Sequence, residues 1–74
     1  MPRASTGRQG LTYLRAWRVW RGLSQEDLAR RAGVAAATVS TLETGKGAAN
    51  RATVGKLAEA LGVTREALLR EAPE

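Results

Sequence analysis

The sequence contains no cysteine and no histidine. Without cysteine there is no disulfide framework and no thiolate metal site. Without histidine the commonest general base and the commonest zinc ligand are both missing, so neither a metal nor a cofactor is expected. No apolar run approaches the ~20 residues that a membrane span needs. Two arginines near the start, Arg3 and Arg8, are followed by no apolar stretch of the signal-peptide kind. No membrane association is expected, and a cytoplasmic protein is the default. No segment alternates with period two over a useful length, so strands are not expected either. No internal repeat and no sensing domain are read, so control by a small molecule is not expected. A length of 74 residues allows one domain. A single core of that size is marginal, so closely packed helices or a partner subunit have to supply part of the stability.

What the chain does have is positive charge. Twelve lysines and arginines stand against seven acids, a formal net charge of +5. A small basic domain attracts phosphate, on nucleic acid first and on anionic membrane second. Residues 1–10, MPRASTGRQG, hold almost nothing to bury and read as a disordered basic arm. Its arginines, Arg3 and Arg8, are either solvated charges or contacts along a DNA groove or phosphate row.

Residues 11–71 read as one all-helical domain, with a short tail at 72–74. Leu11, Leu14 and Trp17 share a face that Tyr13 and Trp20 extend, and Arg15, Arg18 and Arg21 recur every three residues as a basic edge. Gly22 ends this first helix. Ser24 and Asp27 have capping-box spacing and start a second helix with Leu28, Ala29 and Ala32 inward. A third helix spans about 36–43, with Val39 and Leu42 inward, and Gly45 ends it. Asn50 caps a fourth helix, which buries Val54, Leu57, Ala58 and Leu61 and stops at Gly62. Thr64 caps a fifth, carrying Leu68 and Leu69. Trp17 is expected in the core. Trp20 and Val19 are harder to bury: they form either an exposed apolar patch for a protein partner or a surface half-covered by the arm.

The spacing from Gln25 to Leu42 is the most restrictive feature. Ala29 is small enough to let the next helix cross closely. Gly33 stands where a sharp turn needs positive φ, Val34 closes the turn, and Val39 and Leu42 plug the following helix into the core. This is a helix-turn-helix arrangement, whose second helix fits a major groove. Ala36, Ala37, Ser40 and Thr41 lie opposite the buried side of that helix, where base edges would be met.

Here the sequence resembles the lambda-repressor-like, phage-Cro type regulators, also called the XRE family. The elements GLSQEDLA, AGV, TVSTLETGK and LAEALGV occur in the family's order and spacing, over roughly residues 11–69. The resemblance implies a compact five-helix lambda-repressor-like DNA-binding domain with the helix-turn-helix at helices 2 and 3. It implies a non-enzymatic transcriptional regulator, most simply a repressor, binding double-stranded DNA as a homodimer. It also implies roles. Gln25 contacts a phosphate and braces the recognition helix, Thr44 and Lys46 meet the backbone, and Arg18 pairs with Glu43 to fix helix orientation. The chain departs from the family at Ala35, where a Ser or Thr cap is common, and at Ala36 and Ala37, where longer polar residues are common. Alanine cannot make the bidentate bonds that discriminate bases and can only touch a thymine methyl. Readout would then rest on Ser40, Thr41 and DNA shape. The alternative function is a protein-binding adaptor, an antitoxin-type partner or a phage protein acting on transcription machinery. An enzyme is not expected, because no convergent carboxylate pair remains once Glu43 is paired and Glu26 and Asp27 are assigned to a helix N-terminus.

Overall fold

Three of the helix starts follow from one side chain each. The Ser24 hydroxyl accepts from the Asp27 backbone N–H at 2.9 Å, and the Asp27 carboxylate accepts in return from the Ser24 N–H at 3.2 Å. Asn50 accepts from the Thr53 N–H at 2.8 Å and Thr64 from the Ala67 N–H at 3.0 Å. Each of these bonds satisfies a backbone donor that the first turn of a helix leaves without a partner. The structure, a computed structural model, describes residues 10–73. Arg3 and Arg8, with the expected arm as far as residue 9, lie outside the described residues, as does Glu74 of the expected tail.

Among the described residues the elements are α1 (Leu14–Trp20), α2 (Gln25–Ala32), α3 (Ala36–Glu43), α4 (Arg51–Leu61) and α5 (Arg65–Arg70). Turn and loop make up the rest, apart from a single isolated bridge at Ala49. The expected all-α class and the five helices are found. One boundary moves: α1 begins at Leu14, and Leu11 reaches the core from the preceding turn, where its carbonyl accepts from the Leu14 N–H at 3.2 Å.

All five helices are shorter than the ~12–15 residues at which an isolated helix becomes even marginal in water, so packing has to hold them. Leu14, Leu28, Val39, Leu57 and Leu68, one from each helix, are fully buried in one core. α2 packs on both α3 and α4, α4 on α5, and α1 against α3 and α5. The turn between α2 and α3 rests on Gly33, whose φ of 74° is costly for any residue with a Cβ. The next N–H, from Val34, returns to the Ala29 carbonyl at 3.0 Å and closes the end of α2.

Two long-range contacts tie helix ends together. The Trp17 indole N–H is shared between the Ala67 carbonyl at 3.3 Å and the Glu71 carbonyl at 2.8 Å, which caps the end of α5. The Arg21 Nε–H donates to the Leu61 carbonyl at 2.7 Å, at the end of α4. Arg21 is therefore more than one member of the basic edge read from the sequence. Trp20 does not extend the buried face. It is 52% exposed, as Val19 is 57% exposed, because Trp20 lies about 120° around the helix from Leu14. Its ring meets Trp17 edge-on at 5.5 Å and carries the Arg21 guanidinium 4.8 Å above it.

Gly55 sits within α4, and a Cβ there would meet only the Arg65 side chain, Nη1 at 3.0 Å. That guanidinium is the free end of an exposed side chain and can move aside. Gly55→Ala is therefore expected to stabilise the fold by about 0.5–1 kcal/mol, the helix-propensity difference. Thermal denaturation checks this: an unchanged or lower midpoint would mean that Arg65 cannot yield.

Candidate nucleic-acid interface

α3 is eight residues long, and its inner side is set by Val39 and Leu42, both buried. At 3.6 residues per turn the opposite direction falls on Ala37, with Ser40 and Thr41 to either side and Ala36 at the margin. Ala36, Ala37 and Thr41 are exposed, and Ser40 is half-buried. All four candidate base-facing residues thus lie on the outward half of one short helix. Ala35 offers no side-chain cap, so α3 starts without the bond that begins α2, α4 and α5.

The orientation of α3 is fixed at its last residue. Glu43 accepts from Arg18 Nε at 2.5 Å and Arg18 Nη2 at 3.0 Å, and from the Gln25 amide at 3.0 Å. The remaining Arg18 nitrogen, Nη1, donates to the Leu23 carbonyl at 2.7 Å in the turn before α2. One carboxylate therefore joins α1, the start of α2 and the end of α3. The side chains of Arg18 and Glu43 are only 12% and 4% exposed, so the pair is screened little by solvent. Burial alone would push the Glu43 carboxyl up. The hydrogen bonds from Arg18 and Gln25, with the charges of Arg18 and Arg15, outweigh burial and hold it below its usual range. Arg18 is raised in turn, chiefly by its bond to Glu43.

Gln25 is thus brought to Glu43, in the bracing half of its expected role. Thr44 is exposed just past α3, and its hydroxyl donates to the Thr41 carbonyl at 2.9 Å. Gly45, at φ 79°, turns the chain there. Lys46 follows, exposed, with its N–H returned to the Thr41 carbonyl at 3.3 Å. Two contributors escaped the sequence reading. Arg15 is exposed on α1, yet its charge acts on Glu43; its position one turn before Arg18 was the available signal. Gly47 leaves room for Thr41, whose Cγ2 would lie 3.1 Å from any Cβ at position 47. Nothing local in the sequence marks that contact.

Acid should weaken this arrangement. The Asp27 carboxyl is lowered from 3.8 to about 2 by the Arg30 hydrogen bond first, then by the Ser24 N–H and hydroxyl. Glu43 is shifted in the same direction. A carboxyl that is more acidic in the folded chain contributes stability above its unfolded value, and loses it as pH falls through the folded one. The urea midpoint should therefore hold from pH 7 to 5 and fall from about pH 4 toward 2. The stability difference between the wild-type chain and Asp27→Asn should shrink over the same interval. A difference that stays constant down to pH 2 would contradict the assignment.

Among the described residues no helix is long and apolar enough to cross a membrane. A family model described as helix-turn-helix matches residues 14–68. None of the curated proteins compared with the chain matches it. Among solved structures, a hypothetical transcription factor from Neisseria is 37% identical, over 80% of this chain and 68% of its own, with a TM-score of 0.75. The restriction-modification controller protein C.AhdI from Aeromonas hydrophila is 35% identical, over 77% of this chain and 86% of its own, with a TM-score of 0.74. SinR, a master regulator for biofilm formation solved in complex with DNA, is 28% identical, over 76% of this chain and 90% of its own, with a TM-score of 0.73.

Proposed function

The chain belongs to the helix-turn-helix family, and from that premise we propose that it is a small DNA-binding transcriptional regulator that reads a specific duplex with α3 in the major groove. The observation that carries the reading is the Glu43 network. It fixes a short, outward-facing helix against two others, which is what a groove reader requires if its register on DNA is to be defined.

In this reading Ala36, Ala37, Ser40 and Thr41 face the bases. Gln25, Thr44 and Lys46 lie along phosphates, and Arg15 adds positive charge beside them. Thr44 would have to turn its hydroxyl from the Thr41 carbonyl to donate to a phosphate oxygen. Two copies bind a two-fold symmetric site, with half-sites separated by about one helical turn, ~34–36 Å. The chain acts by occupying DNA, with no reaction assigned to it, and represses where its site overlaps a promoter. The 35% and 37% identities to proteins described as a controller protein and a hypothetical transcription factor support the regulatory class. Arg3 and Arg8 are assigned to the flanking groove on their charge alone. A cytoplasmic location follows from DNA as the target.

A second reading, a protein adaptor on the same fold, draws on the exposure of Val19 and Trp20. Lys46 separates the two. In a regulator, Lys46→Ala should weaken duplex binding for all sequences alike and reduce the slope of log affinity against log salt by about 0.9. Titration of one duplex at several salt concentrations measures that slope. An unchanged slope would remove Lys46 from the phosphate contacts, and unchanged binding by a Gln25→Ala, Lys46→Ala double variant would favour the adaptor.

A further inference from the structure

The outward face of α3 has an unusually low profile. Its centre is Ala37 and its margin Ala36, and Ser40 and Thr41 reach no further than a hydroxyl or methyl. Thr41 places its Cγ2 against Gly47, so that methyl is turned toward the following loop. Two longer polar side chains nearby are committed elsewhere. The Gln25 amide nitrogen is held on Glu43, and the Glu43 carboxylate is enclosed by Arg18 and Gln25. Nothing on this face can form the paired hydrogen bonds that read guanine or adenine, and no carboxylate is free to accept from the cytosine amino group.

A smooth helix face of this kind lets the backbone approach the base edges closely. The group that a β-carbon meets there with net gain is an apolar one, and on the major-groove edge that group is the 5-methyl of thymine. The same methyl at the same ring position is carried by 5-methylcytosine. We propose that the chain reads pyrimidine 5-methyl groups through Ala37 and Ala36, taking thymine and 5-methylcytosine alike, while the Ser40 and Thr41 hydroxyls bond to neighbouring edges. This rests on the placement of α3 in the major groove given above. It has a consequence beyond that placement: cytosine methylation at the reading positions strengthens binding.

The test uses the full chain and the duplex most enriched from a random pool. Each dT is replaced in turn by deoxyuridine, which keeps its pairing and loses its methyl. At the same positions dC, then 5-methyl-dC, is placed opposite dG. At one or two positions in each half-site, deoxyuridine should weaken binding about fourfold, the factor expected from exposing one methyl-sized apolar group. There 5-methyl-dC should bind about fourfold better than dC. In Ala37→Gln, which covers the β-carbon surface with an amide and keeps helix propensity, both methyl effects should fall below twofold. If the enriched site is bound equally well with deoxyuridine at every position, the methyl reading is overturned and the regulator reading stands. If the methyl effects persist undiminished in Ala37→Gln, the reading through Ala37 is overturned. If no site is enriched at all, both readings fall together.

Discussion

Arg18→Ala is expected to destabilise the fold by about 3–5 kcal/mol, because it leaves the Glu43 carboxylate almost fully buried beside a single amide donor. A chain of this length has a total stability of about 4–11 kcal/mol, so the loss is a large fraction of it and the urea midpoint should fall sharply. The cost is that of an unpaired buried charge, and it does not measure what the pair itself contributes. Replacing both partners by apolar residues of similar size, Arg18→Met with Glu43→Leu, should recover most of the stability, since the desolvation of two ions is then avoided as well. Urea denaturation of the single and double variants checks both statements. A double variant as unstable as Arg18→Ala would show that the pair stabilises the fold outright. A stable double variant that binds DNA poorly is the expected result, because the three hydrogen bonds to Glu43 hold the last turn of α3 in place.

Trp17→Ala should have a comparable effect, about 3–5 kcal/mol, by emptying part of a core that each helix shares. Two losses combine. Its buried ring lies in the core between α1 and α5, and its indole N–H serves carbonyls at both Ala67 and Glu71. Trp17→Phe separates them. It keeps most of the apolar volume and removes the donor, so it should cost only about 1–2 kcal/mol. Its effect should concentrate at α5, which is six residues long and whose last carbonyls the indole N–H holds. Amide hydrogen exchange would show this as faster exchange at residues 67–71 with the other helices little changed. Uniformly faster exchange would mean that α5 is not a separately stabilised end of the fold.

How much of this was legible in the sequence depended on distance along the chain. The caps at Ser24, Asn50 and Thr64 are set by bonds between residues three apart, so local spacing sufficed to place them. Gly33 was legible because a sharp turn between two apolar-patterned helices needs positive φ. Trp17 to Glu71 and Arg21 to Leu61 span 54 and 40 residues, and no periodicity marks either. Arg21 read only as part of a basic edge, because nothing local points to its partner; only the folded chain brings the end of α4 to it. Trp20 read both as extending the apolar stripe and as hard to bury, and its angular position turns it toward solvent, in line with the second reading.

The candidate site divides along the same line. The Arg18–Glu43 pair was anticipated from the family resemblance, and the structure places both nitrogens of its fork on the carboxylate. The outward position of Ala36, Ala37, Ser40 and Thr41 followed from the period of α3. The contact of Thr41 with Gly47, and the hydrogen bond from Thr44 back to Thr41, depend on how the loop folds over the end of that helix. Those details decide which hydroxyls are free to meet DNA.

The central claim is that α3 reads sequence and does not merely carry charge to phosphate. The most direct test is to select duplexes from a random pool with the full chain, then compare the enriched duplex with a scrambled one at low and moderate salt. A two-fold symmetric motif, preferred at least a hundredfold at both salt concentrations, is the expected result. Equal binding to both duplexes, falling steeply with salt, would contradict it: the net charge of +5 would then account for all the binding.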